Sequence, residues 1–393
     1  MKYFRSILLF FCCTVLSAGA LSAGRQHGRD RAQTKSFKVA KGGLLKVNVD
    51  GGDIRIVPWE KDEVVVKIRG ADGEDLDRLE MTSKDNTVYV ENYSNHGWSG
   101  DTRFEISIPS QFDVDLKTSA GDLGIQGRLT GKVRGSTSAG DIRIGDINGT
   151  VDVTTSGGDV RAGDVQNDLT LNTAGGDVVV GLISGKADIS TSGGNITVKD
   201  VKKTLWAKTA GGDIFVGDVG GEATLNTSGG NVVVGKVSGS AKLTTAGGDV
   251  ELQGASGTVK AKTAGGNLRL YEITGSIDGK TAGGDIEAEL TPTGNGSSRL
   301  ATASGTIRLY VPENAKATIT AVIRVDDASE EAEESYRVRS SFKSEKYEYD
   351  EKEGEIRATY VLNGGGENIS IETSNADIEI RKMQDRKKSI REE

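Results

Sequence analysis

One short phrase recurs through this chain and limits what it can fold into: Thr-(Ser/Ala)-Gly-Gly-(Asp/Asn)-apolar-x-apolar. Its acidic or amide position falls at Asp141, Asp159, Asp177, Asn195, Asp213, Asn231, Asp249, Asn267 and Asp285, each 18 residues from the last, with one earlier copy at Asp122, 19 residues before Asp141. Counting from that residue as zero, +1 and +3 are apolar (Val178 and Val180, Ile214 and Val216), as are +6 (Ile183, Val219) and +10 and +12 (Leu205 and Ala207, Ala223 and Leu225). Each repeat therefore holds two strand-like pieces that alternate in and out. A single repeat cannot bury these side chains. Repeats stacked at ~4.8 Å can, as columns of Val, Ile, Leu and Ala, and ten would make a rod of roughly 45–50 Å. Parallel strands joined by repeated crossovers are almost always right-handed. The sequence thus predicts an all-β, right-handed parallel β-solenoid with 18-residue rungs and β-rich caps at both ends.

Composition supports a chain of small repeated contacts. There are 54 glycines among 393 residues, but only 4 prolines and 5% aromatics. A net charge of −8 argues against nucleic acid, which needs a concentrated basic face. The N-terminus reads as an export signal over 1–20. Lys2 and Arg5 precede an apolar run from Ile7 to Leu16, too short to span a bilayer comfortably, and Ala18-Gly19-Ala20 is a cleavage site, with Ala23 as second choice. Cys12 and Cys13, the two cysteines, lie inside that signal behind Leu9, Phe10 and Phe11, which is not a lipidation context. The mature chain would hold no disulfide and no transmembrane segment.

The remainder divides into a polar, disordered lead (21–35), an N-terminal β cap (36–117), the solenoid (118–290), a C-terminal β cap (291–382) and a charged tail (383–393). The caps follow from the need to cover open sheet edges.

Three features stand together: Gly51-Gly52-Asp53-Ile54-x-Ile56 with Trp59 just after; Ile106-x-Ile108-Pro109 leading into Val114-x-Leu116-x-Thr118-Ser119-Ala120-Gly121-Asp122; and the Gly-Gly-Asp ladder closing with a late copy at Asp377. On these the chain resembles the bacterial β-strand-repeat, adhesin-type family, domain-of-unknown-function family 4097, over about residues 40–382. The resemblance implies a secreted or envelope-exposed β-solenoid without established catalysis, and it supplies no catalytic residues.

The ladder itself has two readings. Calcium-binding β-rolls also turn every 18 residues, but their second glycine and spaced aspartate are missing here, and one carboxylate per rung falls short of six to eight oxygens. A further acid at +5 (Asp146, Asp164, Asp200, Asp218) is intermittent. The structural reading is that each Asp or Asn bonds its own turn while Gly-Gly supplies unusual backbone angles. From Asp177 to Asp285 the column alternates Asp and Asn. Carboxylates stacked at ~4.8 Å repel by roughly 0.9 kcal/mol in water; alternation doubles their separation and offers each an amide donor. The structural reading is preferred. A threonine column at +14 (Thr155 to Thr281) could suggest ice binding, but it shares parity with +10 and +12 and should point inward.

Function then falls to outward positions. At +2, Val179, Phe215 and Val233 make a short apolar stripe, and Trp206 at +11 also faces out, giving a candidate interaction patch. An enzyme reading, a carbohydrate-active β-helix, has little support: 18-residue rungs leave no room for cleft-forming loops, and the two histidines are His27 and His96. No cofactor or metal is implied. The sequence favours a non-enzymatic, adhesin-like binding or scaffolding protein, exported to the periplasm, surface or exterior, whose partner is an envelope or surface protein or glycan.

Overall fold

In the computed structural model, residues 33–71, 76–92, 102–294, 296–325 and 336–386 are described. The proposed signal, most of the lead, both histidines, the acidic stretch around Glu330–Glu334 and the tail beyond residue 386 lie outside them.

The chain winds into two long β-sheets, back to back, with one apolar core between them. The front sheet, of 17 strands, collects the piece after each Gly-Gly-Asp turn, such as Val178–Ile183, Ile196–Val201 and Ile214–Val216. The back sheet collects the second piece, such as Leu205–Lys208 and Ala223–Asn226. Successive rungs pair in parallel at a register of 18, for example Ile196 with Ile214 and Leu205 with Ala223. Alternation decides which side chains enter: Ile196, Ile214, Val219, Leu205, Ala207 and Leu225 are all fully buried. Gly279 interrupts the +12 column, and Leu300 of the following rung fills the space it leaves.

Both ends depart from a simple stack. Rung 43–59 does not lie outside the next one in sequence. Its strands Gly43–Val49 and Asp53–Trp59 sit between Thr87–Asn92 and Arg103–Pro109 on one side and Phe112–Thr118 and Leu123–Thr130 on the other, parallel to all four. The C-terminus mirrors this. Glu367–Ser374 and Ile378–Lys382 insert between rung 297–311 and the strands Ala317–Arg324 and Val338–Ser340. Beyond these, antiparallel strands close the stack: Gln33–Lys38, Glu63–Arg69 and Leu79–Lys84 at one end, Glu355–Leu362 and Lys346–Asp350 at the other. The parallel stack therefore reaches past 118–290 at both ends. Gln33–Lys35, expected in the lead, belong to an edge strand. Residues 383–386 form a helical turn where a free tail was expected.

Candidate functional site

The Asp/Asn ladder bonds along the stack, not within its own turn. Each side-chain oxygen accepts the backbone N–H of the same position one rung on: Asp213 N–H to Asn195 Oδ1 at 2.8 Å, Asn231 N–H to Asp213 Oδ1 at 2.6 Å, Asp249 N–H to Asn231 Oδ1 at 2.9 Å. The same bond runs through Asp141, Asp159, Asp177, Asn267 and Asp285, and reaches Asp53 at one end and Asp377 at the other. Where a rung bends, its amide has no carbonyl opposite, and an Asp or Asn side chain replaces that acceptor. Asp146, Asp164, Asp200 and Asp218 at +5 do the same at a second bend. The glycine expectation also changes. In the regular rungs the second glycine is not left-handed. It is needed because a Cβ there would overlap the preceding rung's glycine carbonyl.

The threonine column completes the turn. Thr209, 1% exposed, donates to the Gly194 carbonyl (2.8 Å) and accepts the Gly212 N–H (3.3 Å). Charge in the acidic column is relieved in two ways. From Asp53 to Asp159, where no Asn intervenes, arginines do it: Arg143 reaches Asp122 at 2.8 Å and Asp141 at 2.6 Å, Arg161 reaches Asp159 at 3.1 Å, and Arg103 reaches Asp53 at 3.5 Å. The hydrogen bond to Asp122 raises the Arg143 guanidinium above its ordinary value, against a smaller loss of solvation. Beyond Asp177, Asn alternates with Asp, and Arg269 adds an ion pair to Asp249 at 2.9 Å. The amide donor expected of Asn forms only at Asn267, whose Nδ2 lies 3.3 Å from Asp249; at Asn195 and Asn231 no such bond forms.

The outward +2 column of the front sheet has three zones. In the middle, Val179, Thr197, Phe215 and Val233 stack in register, with Val179 42% and Phe215 41% exposed. Toward the C-terminal end, Glu251, Arg269, Glu287, Arg308 and Glu379 alternate in sign. Toward the N-terminal end stand Arg161, Arg143, Gly124 and Arg55. Gly124 leaves a gap there, a shallow concavity of about 490 Å³ bounded by Arg55, Arg103, Arg143 and Arg161. The sequence missed this arginine zone, because Arg55 and Arg103 join it only through the interleaved end.

Trp206, 37% exposed, stands on the back sheet between Asp188 and Thr224. It is therefore not part of one patch with Val179, Phe215 and Val233: outward side chains of the two sheets point away from each other. Among the described residues no group of three or more His, Cys, Asp and Glu is placed to hold a metal ion, and no helix is long and apolar enough to cross a membrane.

A capped, two-sheet parallel β-solenoid held by inter-rung Asp/Asn and Thr/Gly bonds defines the class. Residues 44–217 and 199–361 both match the Toastrack DUF4097 family, and the chain belongs to that family. Solved structures with similarity include a candidate cell adhesion protein from Clostridium sporogenes ATCC 15579 (10% identity, 90% of this chain and 100% of that one, TM-score 0.19). Another is a candidate adhesin from Bacteroides fragilis NCTC 9343 (15% identity, 90% and 97%, TM-score 0.24). A third is a candidate lipid binding protein from Parabacteroides distasonis ATCC 8503 (14% identity, 71% and 92%, TM-score 0.22). No curated protein matches the chain.

Proposed function

We propose that the protein works by binding rather than catalysis: an exported, adhesin-like rod at the cell envelope that presents its front sheet to a surface protein. The observation that carries this is the in-register stack Val179–Thr197–Phe215–Val233, exposed at its first three members and half-buried at Val233, beside the arginine zone. Apolar, aromatic and arginine side chains are the types enriched at protein interfaces. The sheet beneath is fixed by a side-chain bond at every Gly-Gly-(Asp/Asn) bend, so the stripe is presented with little ordering cost.

The test uses the Val179→Ser/Phe215→Ser double variant. Both side chains point outward, so melting should stay within a few degrees of the parent. Retention of the protein on washed envelope fractions should fall by at least about tenfold, as expected when two central apolar contacts are lost. Retention equal to the parent's, or a collapse of the fold, refutes this use of the front sheet.

A further inference from the structure

The front stripe leaves the back sheet unexplained, and on its outer face stacked like charges go largely unanswered. Outward side chains at equivalent positions of neighbouring rungs lie ~4.8 Å apart, and like charges so placed repel. On the front sheet stacked charges are offset: Arg143 lies on Arg161, but both pair with aspartates. Asp alternates with Asn, arginines sit among consecutive aspartates, and Glu251, Arg269, Glu287, Arg308 and Glu379 alternate in sign.

On the back sheet, Lys242 stacks directly on Lys260, and Lys262 directly on Lys280. Lys260 and Lys262 are two apart on one strand, so the four lysines share a block of three rungs, about 10 Å by 7 Å at the Cα level. Lys208 lies in the same column as Lys262, with Asn226 and Thr244 between them. One carboxylate answers the group: Asp278, 3.3 Å from Lys280. Among the described residues, Lys208, Lys242, Lys260 and Lys262 have no ion pair, and all four are exposed. The concentration is the more telling in a chain of net charge −8. Trp206 stands at the head of the strip, in the column that continues through Thr224 to Lys242.

We propose that this strip binds a linear anionic polysaccharide. The glycan lies along the stack from Trp206 to Lys280, with a sugar ring on the indole and its carboxylate or sulfate groups at the lysines. Four rung steps separate these ends, about 19 Å, the span of a short oligosaccharide. An exposed aromatic beside a row of point-charge donors suits a polyanion whose rings have an apolar face. The shape of the charge favours a chain over a membrane. Asp152 and Asp188 are exposed on the same face beyond Trp206. They would oppose a flat anionic surface, whereas a narrow polymer follows two columns and stops short of them. One aromatic also falls short of the several stacking platforms that single-stranded nucleic acid uses. The lysine block is left in mutual repulsion without its ligand, which is a local inconsistency of the kind functional sites retain. This proposal goes beyond the front-face reading and does not depend on it.

The test measures binding of polygalacturonate, dextran sulfate and neutral dextran to the purified full chain by titration calorimetry. The parent should bind one or both polyanions, weaken by roughly tenfold between about 50 and 200 mM salt, and ignore neutral dextran. Lys242→Gln/Lys260→Gln should weaken binding by at least about tenfold while melting at the same or a higher temperature, because like-charge repulsion is removed. Trp206→Ser should weaken it several-fold. Lys199→Gln/Lys352→Gln, an equal change of charge elsewhere, should leave it unchanged. No binding to either polyanion, or equal loss in the Lys199/Lys352 control, overturns the proposal. So does tighter, competing binding of phosphatidylglycerol vesicles or single-stranded DNA.

Discussion

Asp213 illustrates how much of this fold depends on a single acceptor oxygen. It takes the Asn231 N–H at 2.6 Å, and the bond needs a side-chain carbonyl of the right reach, not a charge. Asp213→Asn should therefore be nearly neutral, whereas Asp213→Ala leaves an amide unpaired and should cost about 1–3 kcal/mol in urea unfolding. Thr209 has two bonds to lose. Thr209→Val keeps the shape but orphans the Gly194 carbonyl and the Gly212 N–H, and should cost more than Thr209→Ser. Charge matters at Asp249. Burial alone would raise its carboxyl, but the Asn267 N–H, the Arg269 guanidinium and the Asn267 amide together hold it below its ordinary 3.8. A carboxyl depressed in the folded state stabilises above its unfolded pKa and loses that contribution as pH falls through the folded one. Melting temperature should thus decline as pH drops below about 4, and less steeply in Asp249→Asn. An unchanged slope in that variant would remove Asp249 from the account.

At the scale of one turn, the two glycines are not equivalent. A Cβ at Gly230 would overlap the Gly212 carbonyl of the rung before, while at Gly229 the nearest atom is 3.0 Å away. Backbone cannot give way there as a flexible side chain could. Gly230→Ala should lower stability by several times the effect of Gly229→Ala, read as the shift of the urea midpoint. The chain's own exceptions agree. Ala120 and Ala139 occupy the first glycine position in early rungs. Where alanine takes the second, at Ala376, the turn is rebuilt around Asn375 with φ of 51°.

Across the whole molecule, the ends decide whether the rod stays shut. The last copy of the repeat, at Asp377, is the penultimate rung in space and touches a strand on each side. Deleting 367–386 should therefore detach the strands of 317–362, seen as new cleavage sites there in limited proteolysis and as a lower melting temperature. Beyond this rung, Arg386 lies 3.9 Å from the Tyr271 ring centre and pairs with Glu287 at 3.2 Å and with Glu289. It ties the final turn across the front sheet. Arg386→Ala should speed cleavage after residue 382 and leave the rungs intact. The outermost strands are short or charged, as at Val338–Ser340 and Lys346–Asp350, which discourages rod-to-rod pairing.

The repeat alone determined the rung, the two sheets, the inward columns and the inward threonines, because a period of 18 with apolar residues at fixed offsets has one way to bury them. It also gave the charge problem of a stacked acidic column. It could not say that the ladder's bonds run between rungs, since own-turn and next-rung acceptors leave the same letters at the same spacing. Nor could it show that rung 43–59 enters the stack beside 112–130, that arginines gather around Gly124, or that Trp206 and Phe215 look in opposite directions. Those depend on which strands become neighbours and which way each sheet faces. The Gly-Gly-Asp phrase thus makes the rod, while the folding-over of its ends and the pairing of its columns decide what its two faces present.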